Sequence, residues 1–488
     1  MGTPPEANLG ELARRIAAVV GPRHCVSDPA ELLTYEADGL SHGRVRPALV
    51  VLPGSESEVA EVVKLVRASG RPIVPRGSGT GLSGGARPVP GCVVMSLTRM
   101  KRILQVDLEN GWARVEPGVI NLDVSRAVSG DGWYYAPDPS SQPVCSIGGN
   151  IAENSGGAHC LKYGFTVNHV YASRMVTAEG EVVEIGGPSL DVPGYDLLAA
   201  LVGSEGMVGV VTEVTLRLLR KPEATRTFLA VFPSTDEGGN AVSGIIAAGI
   251  LPAAIEMMDA LAIKAAKAAT GLDWPETCVL LMDADGPVAE VEHVSRRAIE
   301  IARAAGATEV KVPRDEAERQ LMWKGRKSAF AAVGRISPNY MVEDGVIPRS
   351  EIAKVLREIE SMARAVGLRV ANVFHAGDGN LHPLVLYDAR NPGEEERAAK
   401  LGGDILKMCV RHGGSITGEH GVGAEKAEYM ADMFGPDDLE TMKQVRFAFD
   451  GDAAFNPGKV FPATRLCGER PGPYEPHPVE KAGKAERW

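Results

Sequence analysis

Two histidines, a glutamate and a third histidine towards the C-terminal end of the chain have the types and spacing of a metal site. Residues 375–382 read His-Ala-Gly-Asp-Gly-Asn-Leu-His, which places two imidazoles around a glycine-rich turn between two predicted strands. Glu419 and His420 follow on a separate loop. Two histidines and one carboxylate form a ligand set for zinc, manganese or iron that leaves positions open for a substrate. The alternative, a hydrogen-bonded hairpin turn, accounts less well for the added Glu419 and His420.

Three glycine-rich segments have the composition of cofactor loops. The first contains Gly79, Gly81 and Gly84 in G-x-G-x-x-G spacing after a predicted strand, which is typical of a dinucleotide-binding Rossmann fold. That fold requires a helix at the third glycine, whereas residues 85–91 contain two prolines and two glycines and cannot form one. The Rossmann interpretation therefore fails. The loop is either a flexible turn or a nest of backbone N–H groups that holds a pyrophosphate.

The other two segments favour the second of these interpretations. Residues 141–157 and 203–212 are again rich in glycine and small polar side chains. Asn150 and Asn154 in the first of these can both donate and accept hydrogen bonds. Three such segments in one region indicate a binding site for a long polar cofactor.

Short strands and helices must position these loops. Residues 47–53 and 71–75 are predicted strands, and Ser55 and Glu58 form a capping box that begins the helix between them. From about residue 221 the pattern changes to repeated strand–helix–strand units, which are typical of a ferredoxin-like domain. We therefore predict an α+β fold with these parts: residues 1–221 as a cofactor domain with an N-terminal helix, 222–416 as a substrate or cap domain carrying the metal hairpin, 417–462 as a segment returning to the cofactor domain, and 463–488 as an irregular tail.

Charge and composition exclude several function classes. The net charge of −11 argues against a nucleic-acid partner, which requires clustered basic residues. No apolar run is long enough to span a membrane, and no signal peptide is recognised, so we expect a cytoplasmic protein. The seven cysteines lack C-x-x-C spacing, which argues against an iron–sulfur cluster or a structural zinc site.

Residues 75–85, 148–157 and 455–459 resemble the FAD domain of the vanillyl-alcohol-oxidase flavoprotein superfamily. Within it they are similar to the branch containing glycolate oxidase D subunits, D-lactate dehydrogenases and D-2-hydroxyglutarate dehydrogenases. The resemblance implies a two-subdomain FAD-binding domain with a ferredoxin-like cap. No histidine lies near the first loop to tether the cofactor, so we expect FAD to bind non-covalently. The implied FAD-binding residues are Pro75, Arg76, Gly77, Ser78, Gly79, Thr80, Gly81, Ser141, Ser146, Gly148, Gly149, Asn150, Asn154, Gly157, Gly203, Glu205, Gly206, Val211 and Asn456.

The same resemblance implies roles for the predicted metal site and for the residues that contact the substrate. By match to that branch's H-x-G-D-G-N-x-H motif and its later E-H, the implied ligands of a divalent metal are His375, His382 and Glu419. His420 becomes the base beside the flavin and a substrate contact. The implied substrate-orienting side chain is Asn380, and the implied cation for the substrate carboxylate is Arg326, in a segment similar to W-x-x-R.

One departure from the branch bears on the substrate. Enzymes acting on 2-hydroxyglutarate have a lysine before the D-x-x-x-P element and a threonine one turn after the arginine. Here residues 340–343 contain no lysine before Asp344, and Phe330 replaces the threonine. A second carboxylate would lose two partners, so a monocarboxylate fits better unless Arg335 or Lys327 takes their place.

The predicted activity is FAD-dependent oxidation of a small D-2-hydroxy acid, such as glycolate or D-lactate, to the 2-keto acid. The chain would then pass electrons to a partner subunit or protein, to a quinone or to oxygen, and it could associate with the inner face of the membrane or form a homodimer. The alternatives are D-2-hydroxyglutarate oxidation, a metal-dependent hydrolase, and a flavin-containing subunit without turnover.

Overall fold

The computed structural model describes residues 9–40, 43–187 and 194–462, so the predicted tail lies outside the described residues. The helices are α1 (Leu9–Val20), α2 (Pro29–Leu32), α3 (Glu56–Ala68), α4 (Asn121–Val128), α5 (Ile147–Glu153), α6 (Cys160–Tyr163), α7 (Leu197–Leu201), α8 (Thr235–Ala247), α9 (Ala260–Thr270), α10 (Val288–Ala304), α11 (Glu316–Val333), α12 (Ile352–Ala365), α13 (Glu394–Arg411), α14 (Met430–Met433) and α15 (Pro436–Phe449). The strands are β1 (Cys25–Val26), β2 (Leu49–Val51), β3 (Ile73–Arg76), β4 (Val93–Ser96), β5 (Ile103–Asp107), β6 (Trp112–Val115), β7 (Trp133–Tyr134), β8 (Val170–Val176), β9 (Val182–Gly186), β10 (Val210–Arg217), β11 (Leu219–Arg220), β12 (Ala224–Phe232), β13 (Ala254–Met258), β14 (Cys278–Gly286), β15 (Glu309–Lys311), β16 (Asn339–Val342), β17 (Arg369–His375) and β18 (Pro383–Tyr387).

A small sheet with the order β1-β2-β4-β3 positions the first glycine loop. Strands β2 and β3 run parallel to β4, and α3 connects them. The helix begins as predicted, because the Ser55 hydroxyl accepts the backbone N–H of Glu58 at 3.2 Å and the Glu58 carboxylate accepts that of Gly54 at 2.7 Å. The loop therefore leaves β3 at the edge of this sheet, where parallel pairing with β4 holds the strand.

A five-stranded antiparallel sheet with the order β5-β6-β10-β8-β9 positions the other two glycine segments. The second segment forms the short helix α5, whose Ile147 and Ile151 pack into the core of this sheet. The third segment leads directly into β10. The two small sheets thus hold the three loops on separate, buried supports.

The second half of the chain forms a seven-stranded antiparallel sheet with the order β15-β12-β14-β13-β17-β18-β16. Side chains alternate across it, since Phe228, Ala230 and Phe232 of β12 enter one core while Leu229 and Val231 enter the other. Helices α8, α10, α12 and α13 cover the first face, and α9 and α11 cover the second. The α+β prediction is confirmed, with a wider sheet than the strand–helix pattern indicated.

The C-terminal segment contacts the cofactor half of the chain. Backbone hydrogen bonds join Ile73 N to Ala454 O at 2.8 Å and Asn456 N to Ile73 O at 2.7 Å. The Lys459 ammonium donates to the Gly84 carbonyl at 2.6 Å. Residues 454–459 therefore form hydrogen bonds with strand β3 and with the first glycine loop. Among the described residues, no helix combines the length and apolarity needed to cross a bilayer.

Candidate active site

A cavity of about 650 Å³ joins the glycine loops to the histidine cluster. Its volume is in the range of cofactor and ligand sites. Most of the implied FAD-binding residues line it: Pro75, Arg76, Gly77, Ser78, Gly79, Thr80, Gly81, Ser141, Ser146, Gly148, Gly149, Asn150, Glu205, Gly206 and Val211. Its other end is lined by His382, Glu419, His420, Lys327, Phe330, Ala331, Tyr340, Met341, Val342 and Tyr387.

The glycines of the first loop leave room for a ligand at its surface. A Cβ atom on Gly77 would lie 2.2 Å from the Ser146 hydroxyl, so this glycine lets the first and second loops approach closely. A Cβ on Gly81 would meet only Glu153 Oε1, at 3.9 Å, and would project into the cavity. Backbone groups can therefore approach an extended polar cofactor there without side-chain obstruction. This arrangement fits FAD.

Four of the implied FAD-binding residues do not line the cavity. Asn154 ends α5 at φ 49° and accepts the Val167 backbone N–H at 2.9 Å. The Asn456 amide donates to the carbonyls of Gly85 at 2.8 Å and Glu205 at 2.6 Å. Gly157 and Gly203 adopt positive φ angles at turns beside the loops. In this structure these residues hold the loops in place, and their direct contact with FAD stays a prediction.

The three implied metal ligands lie together. The Glu419 Oε1 atom is 3.1 Å from His375 Nε2 and 3.4 Å from His382 Nε2. Tetrahedral coordination with zinc bond lengths separates ligand atoms by roughly 3.3 Å, so the spacing fits a metal ion. Neither ring nitrogen of the buried His382 makes a hydrogen bond of good geometry with any described residue. A bound cation would satisfy one of these nitrogens.

Glu256 orients His375 from the opposite side. This residue lies on β13, in register with His375 on β17, and its Oε1 atom is 2.8 Å from His375 Nδ1. A carboxylate on one ring nitrogen fixes the tautomer and leaves the other nitrogen for a metal. Glu256 is 1% exposed, so water does not compete for this contact.

Asp344 organises the loop that carries Glu419 and His420. Its carboxylate accepts the backbone N–H groups of Gly418 at 2.9 Å, Glu419 at 3.2 Å and His420 at 3.0 Å. The Lys426 ammonium lies 3.1 Å from the same carboxylate. Because Asp344 is fully buried, this network fixes both functional side chains relative to the hairpin.

Two of the three sequence-predicted substrate contacts lie outside the cavity lining, whereas the third, His420, lines it. Arg326 occupies the sheet-facing side of α11, is 3% exposed, and places Nη2 2.5 Å from Glu256 Oε2. Asn380 donates to Asp344 Oδ1 at 2.8 Å. Lys327 and Phe330 of the same helix line the cavity. Direct contact of Arg326 or Asn380 with a substrate stays a prediction.

Comparison with known proteins identifies the family. A family model described as an FAD binding domain matches residues 47–186, and one described as the C-terminal domain of FAD linked oxidases matches residues 221–460. The glycolate oxidase subunit GlcD of Escherichia coli is 50% identical over 90% of this chain and 88% of that protein. The chain belongs to the FAD-linked oxidases. It is an FAD-dependent oxidoreductase that acts on hydroxy acids.

Other relatives and solved structures agree with this placement. GlcD of Bacillus subtilis is 39% identical over 92% of this oxidase and 97% of that protein, and a D-lactate dehydrogenase of Anaerostipes hadrus is 33% identical over 86% and 90%. A structure of p-cresol methylhydroxylase has a TM-score of 0.79 at 16% identity, covering 93% of this chain and 97% of that one. The 4-ethylphenol oxidase of Gulosibacter chungangensis has a TM-score of 0.79 at 18% identity, covering 94% and 98%. The vanillyl-alcohol-oxidase-type fold is thereby confirmed.

Electrostatics divide the active-site groups of this FAD-linked oxidase into charged and neutral members. Burial raises the pKa of Glu419, but the charge of His375 outweighs this effect and lowers that pKa to about 2. Burial lowers the pKa of His375, but the nearby carboxylates of Glu256 and Glu419 outweigh this effect and raise that pKa well above the ordinary value. Burial lowers the pKa of His420 to about 4, with the nearby Asp344 carboxylate acting in the opposite direction. Glu419 is therefore an anion, and His420 is a neutral ring able to accept a proton.

Sequence reasoning missed the contacts of Glu256 and Asp344, and it considered Lys327 only as a possible partner of a second substrate carboxylate. Glu256 gives no local signal, because its strand is a short apolar run and its partner is more than a hundred residues away. The sequence identifies Asp344 only as part of the D-x-x-x-P element and gives no sign of its contacts with residues 418–420. Helical spacing does not separate Lys327 from Arg326, because both lie one turn from Trp323 and one turn from Phe330.

Proposed function

We propose that this FAD-linked oxidase oxidises a small 2-hydroxy monocarboxylic acid, either glycolate or a D-isomer such as D-lactate, to the corresponding 2-keto acid. One observation carries the proposal: a single cavity is lined by the FAD loops, by two members of the predicted metal site and by the neutral His420. The names of the relatives, glycolate oxidase subunit and D-lactate dehydrogenase, support the same substrate class.

The chain's own residues have distinct roles in this proposal. FAD, when bound, supplies the hydride acceptor, flavin N5. His375, His382 and Glu419 would hold a divalent metal, which lowers the pKa of a hydroxyl group beside it. His420 accepts the hydroxyl proton, since its ring is neutral near pH 7 and stacks 4.9 Å from the ring of His382. Asp344 lies within reach of the His420 ring and stabilises the positive charge that the ring acquires.

The far wall of the cavity supports a monocarboxylate. Lys327 is the cation on this wall, and we assign it to the substrate carboxylate, with Arg326 as the sequence-based alternative. Phe330 packs edge-on against His382, with ring centroids 5.5 Å apart, and Tyr340 and Met341 continue the apolar surface. This surface offers little to a second carboxylate, so 2-hydroxyglutarate fits less well.

The rate of flavin reduction in anaerobic stopped-flow experiments tests the proposal. Glycolate or D-lactate should reduce the enzyme-bound FAD at least tenfold faster than L-lactate or D-2-hydroxyglutarate at equal concentration. Fastest reduction by a dicarboxylate or by an L-acid would refute the assigned substrate class. Membership of the FAD-linked oxidases argues against the alternative of a metal-dependent hydrolase. The electron acceptor, non-covalent FAD attachment and a homodimer stay predictions.

A further inference from the structure

The cavity wall next to His420 contains a pair of acidic side chains, Glu153 and Glu205, that the proposed reaction does not use. Both line the cavity, Glu153 from the end of α5 and Glu205 from the third glycine segment. A Cβ atom on Gly421 would lie 2.2 Å from Glu153 Oε2 and 2.9 Å from Glu205 Oε1. The two carboxyl groups are therefore close neighbours beside the residue that follows His420.

The surroundings of the two carboxyl groups differ. Glu205 Oε1 accepts the backbone N–H of Val422 at 2.7 Å, and its Oε2 accepts that of Gly423 at 2.7 Å. Two backbone donors stabilise the ionised form of Glu205. Glu153 Oε2 is buried and makes no hydrogen bond with any described residue. A negative charge on Glu153 would therefore lack the partners that Glu205 has.

Nearby cations do not compensate for a second negative charge. Lys426 is paired with Asp344 at 3.1 Å. The Lys459 ammonium is occupied by the carbonyls of Gly84 at 2.6 Å and Arg87 at 2.8 Å.

Two neighbouring buried carboxylates do not both ionise near neutral pH, so such a pair holds one proton. Burial and the charges of Glu205 and Asp38 raise the pKa of Glu153 well above the ordinary value, whereas burial raises that of Glu205 to about 7. The charges of Lys426 and Lys459 lower both pKa values, and of the two carboxyl groups Glu205 is the one with two backbone N–H donors that stabilise its anion. The proton therefore belongs on Glu153.

We propose that Glu153 is a neutral carboxylic acid in the FAD-loaded oxidase and that its O–H group donates a hydrogen bond to the bound cofactor. Hydride transfer requires reacting atoms about 3–3.5 Å apart, so the redox-active ring of FAD must lie near His420 and hence near Glu153. A neutral donor there favours the electron-rich reduced cofactor, whereas a second carboxylate would oppose it. The proposal rests on the proposed function for the position of the flavin ring beside His420, but it does not require the metal or the assigned substrate.

Infrared difference spectroscopy on the FAD-loaded protein, reduced chemically without substrate, tests this proposal. The wild type should show a carbonyl band of a protonated carboxyl group that shifts when FAD is reduced. The band should disappear in Glu153→Gln and persist in Glu425→Gln. Glu425 also lines the cavity, and burial raises its pKa to about 8, so Glu425→Gln should remove a different carboxyl band. Persistence of the band in Glu153→Gln, its loss in Glu425→Gln, or its absence from the wild type would overturn the proposal.

The FAD midpoint potential provides a second readout. Glutamine keeps a neutral donor, so Glu153→Gln should retain FAD and change the ratio of oxidised to reduced affinity less than threefold. Glu153→Ala, which lacks a donor, should disfavour reduced FAD about three- to tenfold. A tenfold or larger shift towards reduced FAD in Glu153→Gln, about 30 mV for a two-electron couple, would show that a negative charge had been removed. That result, or failure of Glu153→Gln to bind FAD, would contradict a neutral Glu153.

Discussion

The substitution Glu256→Gln should weaken metal binding and destabilise the protein through two separable contacts. The Glu256 carboxylate lies 2.8 Å from His375 Nδ1 and 2.5 Å from Arg326 Nη2. Loss of a carboxylate behind a ligating histidine typically reduces metal affinity 10- to 100-fold, or about 1.4–2.8 kcal/mol. Loss of the ion pair leaves the buried Arg326 charge without its partner, which costs about 3–5 kcal/mol of unfolding free energy.

Two variants separate these contributions. In Glu256→Gln combined with Arg326→Met, no buried cation is left unpaired, so much of the stability should return while metal affinity stays low. Asp283→Asn is the matched control, because Asp283 is also a buried carboxylate of this sheet but bonds to Trp323 Nε1 at 3.0 Å. It should lower stability without changing metal affinity.

Chelator competition with zinc or manganese measures the metal affinity, and urea unfolding of the metal-free protein measures the stability. Wild-type metal affinity in Glu256→Gln would refute the reasoning. So would recovery of metal affinity in the double variant, because the effect would then come from the unpaired arginine and not from the orientation of His375.

Further predictions concern the cavity residues. His382→Ala should keep FAD but lose metal and substrate-driven flavin reduction, and loss of FAD instead, seen in the absorbance spectrum, would mean that the metal site is misplaced. Lys327→Ala should raise KM for the hydroxy acid about 10-fold or more, with Lys327→Arg less affected; an unchanged KM in steady-state assays would remove this residue from substrate binding. Phe330→Ala should increase the relative rate of flavin reduction by D-2-hydroxy acids with larger side chains, and an unchanged preference would argue against its steric role. Burial lowers the pKa of His420 to about 4 from an ordinary value of about 6.5, so its contribution to stability is complete above about pH 6.5 and is lost as the pH falls towards 4. In urea unfolding of the metal-free protein, His420→Asn should therefore lose less unfolding free energy than the wild type between about pH 6.5 and 4. An identical pH profile of the two proteins would contradict this origin.

Local patterns in the sequence predicted the elements that hold the site. The capping box at Ser55 and the hairpin between His375 and His382 depend on short-range spacing, and both are present in the structure. The prolines at 88 and 90 likewise ruled out a Rossmann helix, and no helix follows the first loop. Strands β13 and β16 were not predicted, because short buried runs lack the alternation that distinguishes a strand.

The contacts that tune the site could not be predicted, because they join residues far apart in the chain. The register between β13 and β17 sets the contact of Glu256 with His375, and a single-residue shift would abolish it. Arg326 was assigned to the substrate from a motif alone. In the folded chain it belongs to the buried face of α11, so its guanidinium meets Glu256 and Lys327 occupies the cavity side.

The visible spectrum of the purified, FAD-loaded protein under anaerobic conditions tests the central claim most directly, when glycolate or D-lactate is added with and without prior chelation. We expect the flavin absorbance to bleach with one of these acids, bleaching to stop after chelation, and added zinc, manganese or iron to restore it. Bleaching at an unchanged rate in the fully metal-depleted protein would contradict the assignment of His375, His382 and Glu419 as a metal site that serves the reaction.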